Sequence, residues 1–142
     1  MTKVQKYLLL LLRLSLGWLF FYAGITKVLN PEWSAAGYLK ATQTLPELYT
    51  WLSLPTNISW VNFLNEWGLT LLGLSLIVGL WVKWSGSLGV LLMALYYIPI
   101  LHFPYVGYHS LLIDEHVIYS LGLLILVSFR AGHFWGLDAR LR

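Results

Sequence analysis

Residues 84–113 form a run of thirty positions without a single Asp, Glu, Lys or Arg. A transmembrane helix needs about 20 predominantly apolar residues, so this run is long enough to cross a bilayer. The rest of the chain has the same character, because 58% of its residues are hydrophobic and 11% are charged, against about 25% charged in soluble domains. Too few polar side chains remain to cover a water-soluble globule, and the composition predicts a membrane protein.

Four apolar segments have the length of membrane-spanning helices. A signal peptide is the alternative for the first of them, but Arg13 interrupts its apolar run and no clear cleavage site stands out. With 142 residues, the chain leaves no room for a separate soluble enzymatic domain. We therefore predict one all-α domain over residues 1–142, an integral membrane four-helix bundle with spans at about 7–29, 60–82, 84–103 and 111–129.

The connection between the first two spans, residues 30–59, is too polar to cross the membrane. The order Asn30, Pro31 and Glu32 has the pattern of an N-cap, a first-turn proline and a first-turn acid, so we expect a short helix to start there. Together with the aromatic side chains that follow, such as Trp33 and Trp51, this pattern predicts a pair of interfacial helices on the outer membrane face.

The short flanking segments carry the basic residues unevenly. If both termini lie on one side, that side holds seven Lys and Arg residues and the other side holds Lys27 and Lys40. The positive-inside rule then places both termini in the cytoplasm. The formal net charge of +3 is scattered around apolar runs, so it indicates topology and not nucleic-acid binding.

The chain contains no cysteine, which excludes disulfides, thiol redox chemistry and iron–sulfur clusters. It also has no glycine-rich phosphate loop, no dinucleotide fingerprint of the kind that flavin enzymes carry and no serine elbow. His102, His109 and His116 recur every seven residues across a turn, which leaves a haem or metal site as a weak alternative. Any redox role needs electrons from a partner.

Polar and small residues repeat at helical spacing within three of the spans, and each set falls on one face of its helix. Glycine on such a face allows close approach of a neighbouring helix, so we expect these faces to point into the protein. The sets are Arg13, Gly17, Phe20, Gly24 and Lys27 in the first span, with Phe21 beside their line, Glu66, Thr70, Gly73 and Ile77 in the second, and Glu115, Tyr119 and Gly122 in the fourth.

Glu66 lies well inside its span, where an ionised carboxylate is costly, so we expect it to be protonated or paired with Lys27. The same outer layer of the membrane would receive three groups from the start of the fourth span, Asp114, Glu115 and His116, and His102 from the third. This layer predicts a pocket lined by proton-handling groups. The alternatives are a helix–helix ion pair without chemistry and interfacial anchors that reach to water.

Arg13 has no acid at its own depth in the inner half of the bundle. Two interpretations are open for its guanidinium. It can extend to a lipid phosphate, or it can bind an anionic or carbonyl head group.

The sequence resembles the DoxX family of small four-span membrane proteins along nearly its whole length. The resemblance depends on the order and spacing of several motifs. These are the Arg13 to Lys27 stripe, residues 31–39 (PEWSAAGYL), Glu66 with Gly68, Leu69, Gly73 and Leu74, residues 114–119 (DEHVIY), Arg130-Ala131-Gly132 and residues 135–138 (WGLD).

This resemblance implies a prokaryotic cytoplasmic membrane protein that serves as a subunit of a quinone-linked oxidoreductase complex acting on sulfur compounds or in oxidative stress. The implied cofactor is a quinone, and the implied partner is a redox protein. Membrane lipid is a further expected partner, and the sequence leaves open whether a second copy of the chain is another. As site residues we predict Glu66 and Glu115 for proton transfer and Arg13, Lys27, His116 and Tyr119 for substrate binding. The alternative is a non-catalytic scaffold that docks a partner enzyme through the Trp-rich connection or the basic tail.

Overall fold

The computed structural model describes residues 1–141, and most of them are helical. The α-helices are α1 (Lys3–Val28), α2 (Ala36–Lys40), α3 (Pro46–Leu52), α4 (Ile58–Val78), α5 (Val82–Ile100) and α6 (Glu115–Ser128). An antiparallel hairpin follows α5, formed by β1 (Leu101–His102) and β2 (Tyr105–Val106). Two 3-10 helices follow α6, at Ala131–His133 and Leu137–Arg140. The predominance of helix confirms the predicted class, and the small hairpin was not expected.

The four long helices α1, α4, α5 and α6 pack around a shared apolar core. The largest contacts are between α1 and α4 and between α5 and α6, and smaller ones join α4 to α5 and α1 to α6. Consecutive long helices run in opposite directions, since the start of α5 meets the end of α6 where Gly86 faces Val127. Leucines supply much of the core, with Leu76, Leu123 and Leu126 fully buried.

Glycines set the close contact between α1 and α4. A Cβ atom at Gly17 would lie 2.9 Å from the Cγ1 atom of Ile77, and one at Gly24 would lie 2.5 Å from the Oγ1 atom of Thr70. Gly73 of α4 faces the backbone of Phe21 in the same way. The predicted stripes on the first two spans therefore do face each other, and side chains larger than hydrogen would push the helices apart.

The last long helix starts later than the apolar run predicts. We expected the fourth span to begin at 111, but α6 begins at Glu115 with Asp114 as its N-cap, whose carboxylate accepts from the backbone N–H groups of His116 and Val117. Leu111 instead forms an isolated β-bridge with Tyr105 beside the hairpin. The pairing of Leu111 with the hairpin thus leaves the apolar residues 111–113 outside the helix.

The connection between α1 and α4 does contain two short helices, α2 and α3, but the predicted start at Asn30 is wrong. The side chain of Asn30 accepts from the N–H of Glu32 at 3.2 Å, and its carbonyl accepts from the N–H of Trp33 at 3.0 Å. Asparagine side chains of this kind stabilise turns as readily as helix starts. The helix begins only at Ala36.

Pro99 lies in the last turn of α5, and α3 compensates for its missing N–H. A proline leaves the carbonyl four residues earlier without its helical donor, which here is the carbonyl of Leu95. The hydroxyl of the buried Tyr49 donates to that carbonyl at 3.0 Å. This contact ties the connecting segment to the end of α5.

Two helices in the described part of the chain, α1 and α4, are long and apolar enough to cross a membrane by length and composition. The 14 residues of α6 are apolar but shorter than a full span. That all four long helices cross the membrane therefore stays a prediction from the sequence.

We expect Gly73→Ala to destabilise the protein, because its new methyl group would overlap the backbone of Phe21 on α1. A loss of about 1–3 kcal/mol in the free energy of unfolding is typical of such overpacking. Thermal unfolding in detergent, followed by tryptophan fluorescence, measures the effect. Gly68→Ala is the matched control on α4, since a methyl group there meets no atom within 4 Å. Equal stability of the two variants would contradict the proposed close contact.

Candidate functional site

Two polar centres lie at opposite ends of the four long helices. Arg13 and Lys27 mark them on α1, and 14 residues of helix separate the two by about 21 Å. We call these the Arg13 end and the Tyr96 end, after the residue at the centre of each. The sequence-predicted site residues are therefore not all brought together.

Arg13 is 1% exposed, and the two terminal nitrogens of its guanidinium donate to backbone carbonyls of the chain's own C-terminal segment, while its Nε atom has no hydrogen-bond partner within residues 1–141. Its guanidinium donates to the carbonyl oxygens of Ala131 at 2.8 Å, Phe134 at 3.1 Å and Trp135 at 3.2 Å. Charge-assisted hydrogen bonds of this kind are stronger than neutral ones. Such burial rules out extension of this side chain to a lipid phosphate, and the carbonyls that it binds belong to the protein.

Asp138 completes this contact between the C-terminal segment and the helix ends. Its carboxylate accepts from the backbone N–H of Trp81 at 2.6 Å and of Val82 at 3.1 Å, at the start of α5. Its own N–H donates to the carbonyl of Gly79 at 2.9 Å. We call Arg13, Asp138 and these backbone partners the Arg13 clasp.

At the opposite end, Tyr96 of α5 contacts side chains from four other helices, α1, α2, α4 and α6. Its hydroxyl donates to the side-chain oxygen of Asn65, whose amide group in turn donates to the carbonyl of Val61 at 2.9 Å. Its ring lies 5.9 Å from the ring of His116. We call this group of side chains the Tyr96 cluster. It consists of Lys27, Tyr38, Asn65, Tyr96, Asp114 and His116.

Lys27 lies between aromatic rings. Its Nζ atom is 4.7 Å from the ring centroid of Trp33 and 5.4 Å from that of Tyr96. The predicted ion pair with Glu66 is wrong, because no nitrogen–oxygen distance between them is within 4 Å, although the Glu66 charge acts on Lys27. The aromatic faces hold the ammonium by cation–π attraction instead.

The side chains of His116 and Asp114 are in hydrogen-bond contact at the start of α6. The Nδ1 atom of His116 is 2.6 Å from a carboxylate oxygen of Asp114, and both side chains are largely buried. The same carboxylate caps the helix, so its position is fixed by backbone as well as side-chain donors. A carboxylate on Nδ1 orients an imidazole and leaves Nε2 for a second partner.

Tyr38 of α2 closes the cluster on the side of the connecting segment. Its hydroxyl donates to the backbone carbonyl of Tyr96 at 2.5 Å, and the two rings meet edge to face. Burial raises the pKa of Tyr38 to about 12, and the nearby charges of Tyr49, Asp114 and Glu115 add to this effect. The hydroxyl therefore stays a hydrogen-bond donor at neutral pH.

The remaining predicted residues lie around this cluster. Glu66 is partly buried on α4, one turn before Thr70, whose hydroxyl donates to the Glu66 carbonyl at 2.6 Å. Tyr119 packs edge to face on Phe20 at 5.9 Å, and Glu115 is exposed at the first position of α6. His102 is exposed in the hairpin. Within residues 1–141, no group of three or more His, Asp or Glu side chains is arranged to hold a metal ion.

Sequence reasoning missed Tyr96 and Asn65, which lie at the centre of the cluster. Both are uncharged, so neither stood out among the ionisable residues of an apolar run. The available signal was spacing, because Asn65 precedes Glu66 and lies one turn after Val61 on the buried face of α4. A polar amide on a buried face of a membrane helix needs a partner, and Tyr96 supplies it.

A separate apolar groove of about 870 Å³ runs along α4 and α5. It is lined mainly by leucines, with Trp81 and Trp84 at the Arg13 end and Leu64 and Leu95 at the Tyr96 end. None of the six predicted site residues lines it. The groove and the Tyr96 cluster are therefore distinct features of the protein.

We expect Arg13→Gln to release the C-terminal segment, because three backbone carbonyls lose a charged donor. The free energy of unfolding should fall by at least about 2 kcal/mol. Hydrogen exchange of the amides in residues 131–138 should become faster, while exchange in α2 and α3 stays unchanged. Arg130→Gln serves as the control, since Arg130 is exposed. Unchanged protection of residues 131–138 in Arg13→Gln would show that the clasp is dispensable.

Comparison with known proteins supports the family resemblance drawn from the motifs. The sequence profile of the DoxX family, described as DoxX, matches residues 8–102. This range covers more than half of the chain and includes Arg13, Lys27, Glu66 and Tyr96. Searches among curated proteins and among solved structures gave no significant match. The DoxX family is membrane-associated, and this chain belongs to it.

Proposed function

We propose that this chain is a membrane-spanning subunit of a quinone-linked oxidoreductase complex that acts on sulfur compounds or in oxidative stress. The quinone head group, or a small molecule of similar chemistry, would bind at the Tyr96 cluster. The observation that carries this proposal is the position of Lys27 and His116, which both contact the Tyr96 ring. A fixed cation and a fixed imidazole around one aromatic ring suit a planar ligand with carbonyl oxygens.

The proposal includes a four-helix membrane bundle in the cytoplasmic membrane of a prokaryote. In it, α1, α4, α5 and α6 cross the bilayer, and α2 and α3 lie on the outer surface. The Arg13 end, where both termini of the described chain lie, would face the cytoplasm because it carries most of the Lys and Arg residues. The Tyr96 cluster would then lie near the outer membrane face.

Lys27 would bind the ligand through its ammonium group. Within residues 1–141 the ammonium contacts ring faces and forms no ion pair, so its N–H groups are available to a carbonyl oxygen. The rings of Trp33 and Tyr96 would also exclude water from that contact, which strengthens a hydrogen bond to a charged donor. Tyr119 and Arg13 lie outside this contact, and Arg13 is used by the clasp.

The protons would pass through the side chains at the start of α6. Asp114 holds Nδ1 of His116, which leaves Nε2 to exchange a proton with the ligand, as in other oriented imidazoles. Glu66 and Glu115 would connect this position to water, since Glu115 is exposed and Glu66 is partly buried. A bound quinone would supply the two-electron chemistry, with electrons delivered by a partner redox protein.

Binding of a short-chain benzoquinone tests the role of Lys27. We expect Lys27→Met to weaken binding by about tenfold to a hundredfold, because a hydrogen bond from a charged donor contributes roughly 1.5–3 kcal/mol. Quenching of tryptophan fluorescence on titration measures the affinity, with Trp33 next to the ligand. Lys40→Met is the matched control, since Lys40 is an exposed lysine on α2. Equal affinity in both variants would contradict the proposal.

The proton-transfer roles are tested separately in the complex isolated with its partner. We expect Glu66→Gln and Glu115→Gln to lower the rate of quinone reduction several-fold while leaving quinone affinity unchanged, because a neutral amide cannot carry a proton. Glu47→Gln is the control, an exposed acid on α3 away from the cluster. A normal rate in the Glu66→Gln, Glu115→Gln double variant would remove both residues from the mechanism.

A non-catalytic scaffold is the second candidate function. Trp51 favours it, because this side chain is about half exposed and contacts Trp60 edge to face on the outer surface of the connecting segment. Exposed tryptophans are common anchors of protein interfaces. Trp33, by contrast, is partly buried beneath Lys27 and is less suited to bind a partner. If the chain is a scaffold, Trp51→Ala would release the partner enzyme and Lys27→Met would not.

A further inference from the structure

The two ends of the helix bundle carry opposite charge. Within residues 1–141 the Arg13 end holds five accessible basic residues, which we call the basic collar: Lys3, Lys6, Lys83, Arg130 and Arg140. The Tyr96 end holds two lysines and five acids, namely Lys27, Lys40, Glu32, Glu47, Glu66, Asp114 and Glu115. A negatively charged partner would therefore be attracted to the collar and repelled from the other end.

The charges of the basic collar are not neutralised inside the protein. Asp138 is the acid at this end within residues 1–141, and both of its oxygens already accept from the backbone N–H groups of Trp81 and Val82. In the same part of the chain, none of the collar residues forms an ion pair. Their charge is available to a partner outside the chain.

Large aromatic side chains lie between the collar residues. Trp81, Trp84 and Trp135 are each more than half exposed. Lys83 lies 5.7 Å from the Trp84 ring, and Lys6 lies 5.4 Å from that of Phe134, which is next to Trp135. Tryptophan with flanking lysine or arginine is the combination that membrane proteins place at the level of lipid head groups.

The collar residues come from several elements of the bundle. Lys3 and Lys6 begin α1, Lys83 is in the first turn of α5, and Arg130 follows α6, so three of the four long helices contribute cations. A soluble acidic protein would contact one side of this arrangement. A ring of lipid molecules would contact all of it.

From this arrangement we propose that the basic collar binds the head groups of anionic phospholipids, with phosphate oxygens on the Lys and Arg side chains and the tryptophans beside them. This inference depends on membrane insertion of the helices and not on quinone binding at the Tyr96 cluster. Its failure would leave the proposed site at the opposite end untouched.

Quenching by brominated lipids tests the proposal. The full chain is reconstituted in vesicles of phosphatidylcholine with brominated phosphatidylglycerol, or with brominated phosphatidylcholine as the neutral counterpart. We expect the anionic lipid to quench the tryptophan fluorescence more strongly at equal mole fraction, and salt to reduce the difference. The Lys83→Gln, Arg130→Gln double variant should lose about fivefold in relative affinity for each cation removed.

Lys40→Gln is the matched control, since it removes an exposed lysine at the opposite end. It should keep the preference for phosphatidylglycerol, and circular dichroism should show all variants to be equally helical. Equal quenching by the two lipids in the wild-type protein would overturn the proposal. Polyglutamate binding to protein in phosphatidylcholine vesicles, lost in the double variant and without any lipid preference, would also overturn it and assign the collar to a soluble acidic partner.

Discussion

The close packing of α1 against α4 is the constraint on which the rest of the structure depends. Gly17 and Gly24 on one helix, and Gly73 on the other, leave backbone in contact with backbone along the shared face. This contact fixes the register of the two helices. The register places Arg13 beside the end of α4 and Lys27 beside its first half, so one interface determines where both polar centres form.

The sequence predicted this interface because its signal is local and periodic. Glycines and polar residues at helical spacing identify the face of α1 that is buried, and Arg13, Gly17, Phe20 and Gly24 are indeed buried. The start of α6 was not predictable in the same way. Leu111 is as apolar as the helix that follows it, and its pairing with Tyr105, together with the cap at Asp114, places it outside that helix.

The partners of the charged residues were harder to predict for a different reason. Arg13 binds backbone carbonyls of Ala131, Phe134 and Trp135, and a carbonyl group is present at every position of a sequence. Lys27 contacts the faces of aromatic rings, whereas the sequence analysis expected an acidic partner. The helical pattern identified the buried position of Arg13, but it could not identify a partner group that every residue carries.

The contrast between Arg13 and Lys27 supports the proposal that a ligand binds at the Tyr96 end of the bundle. Both cations lie on the same buried stripe of α1, and each was a candidate to bind substrate. Arg13 has three carbonyl oxygens within hydrogen-bond distance, so a ligand there would have to displace the C-terminal segment. Lys27 has the weaker attraction of aromatic rings and the charge of Glu66 beyond ion-pair distance, and a carbonyl oxygen could be added to these contacts without breaking a hydrogen bond. The same stripe of α1 thus binds the C-terminal segment through Arg13 at one end and leaves the ammonium of Lys27 available as a donor at the other.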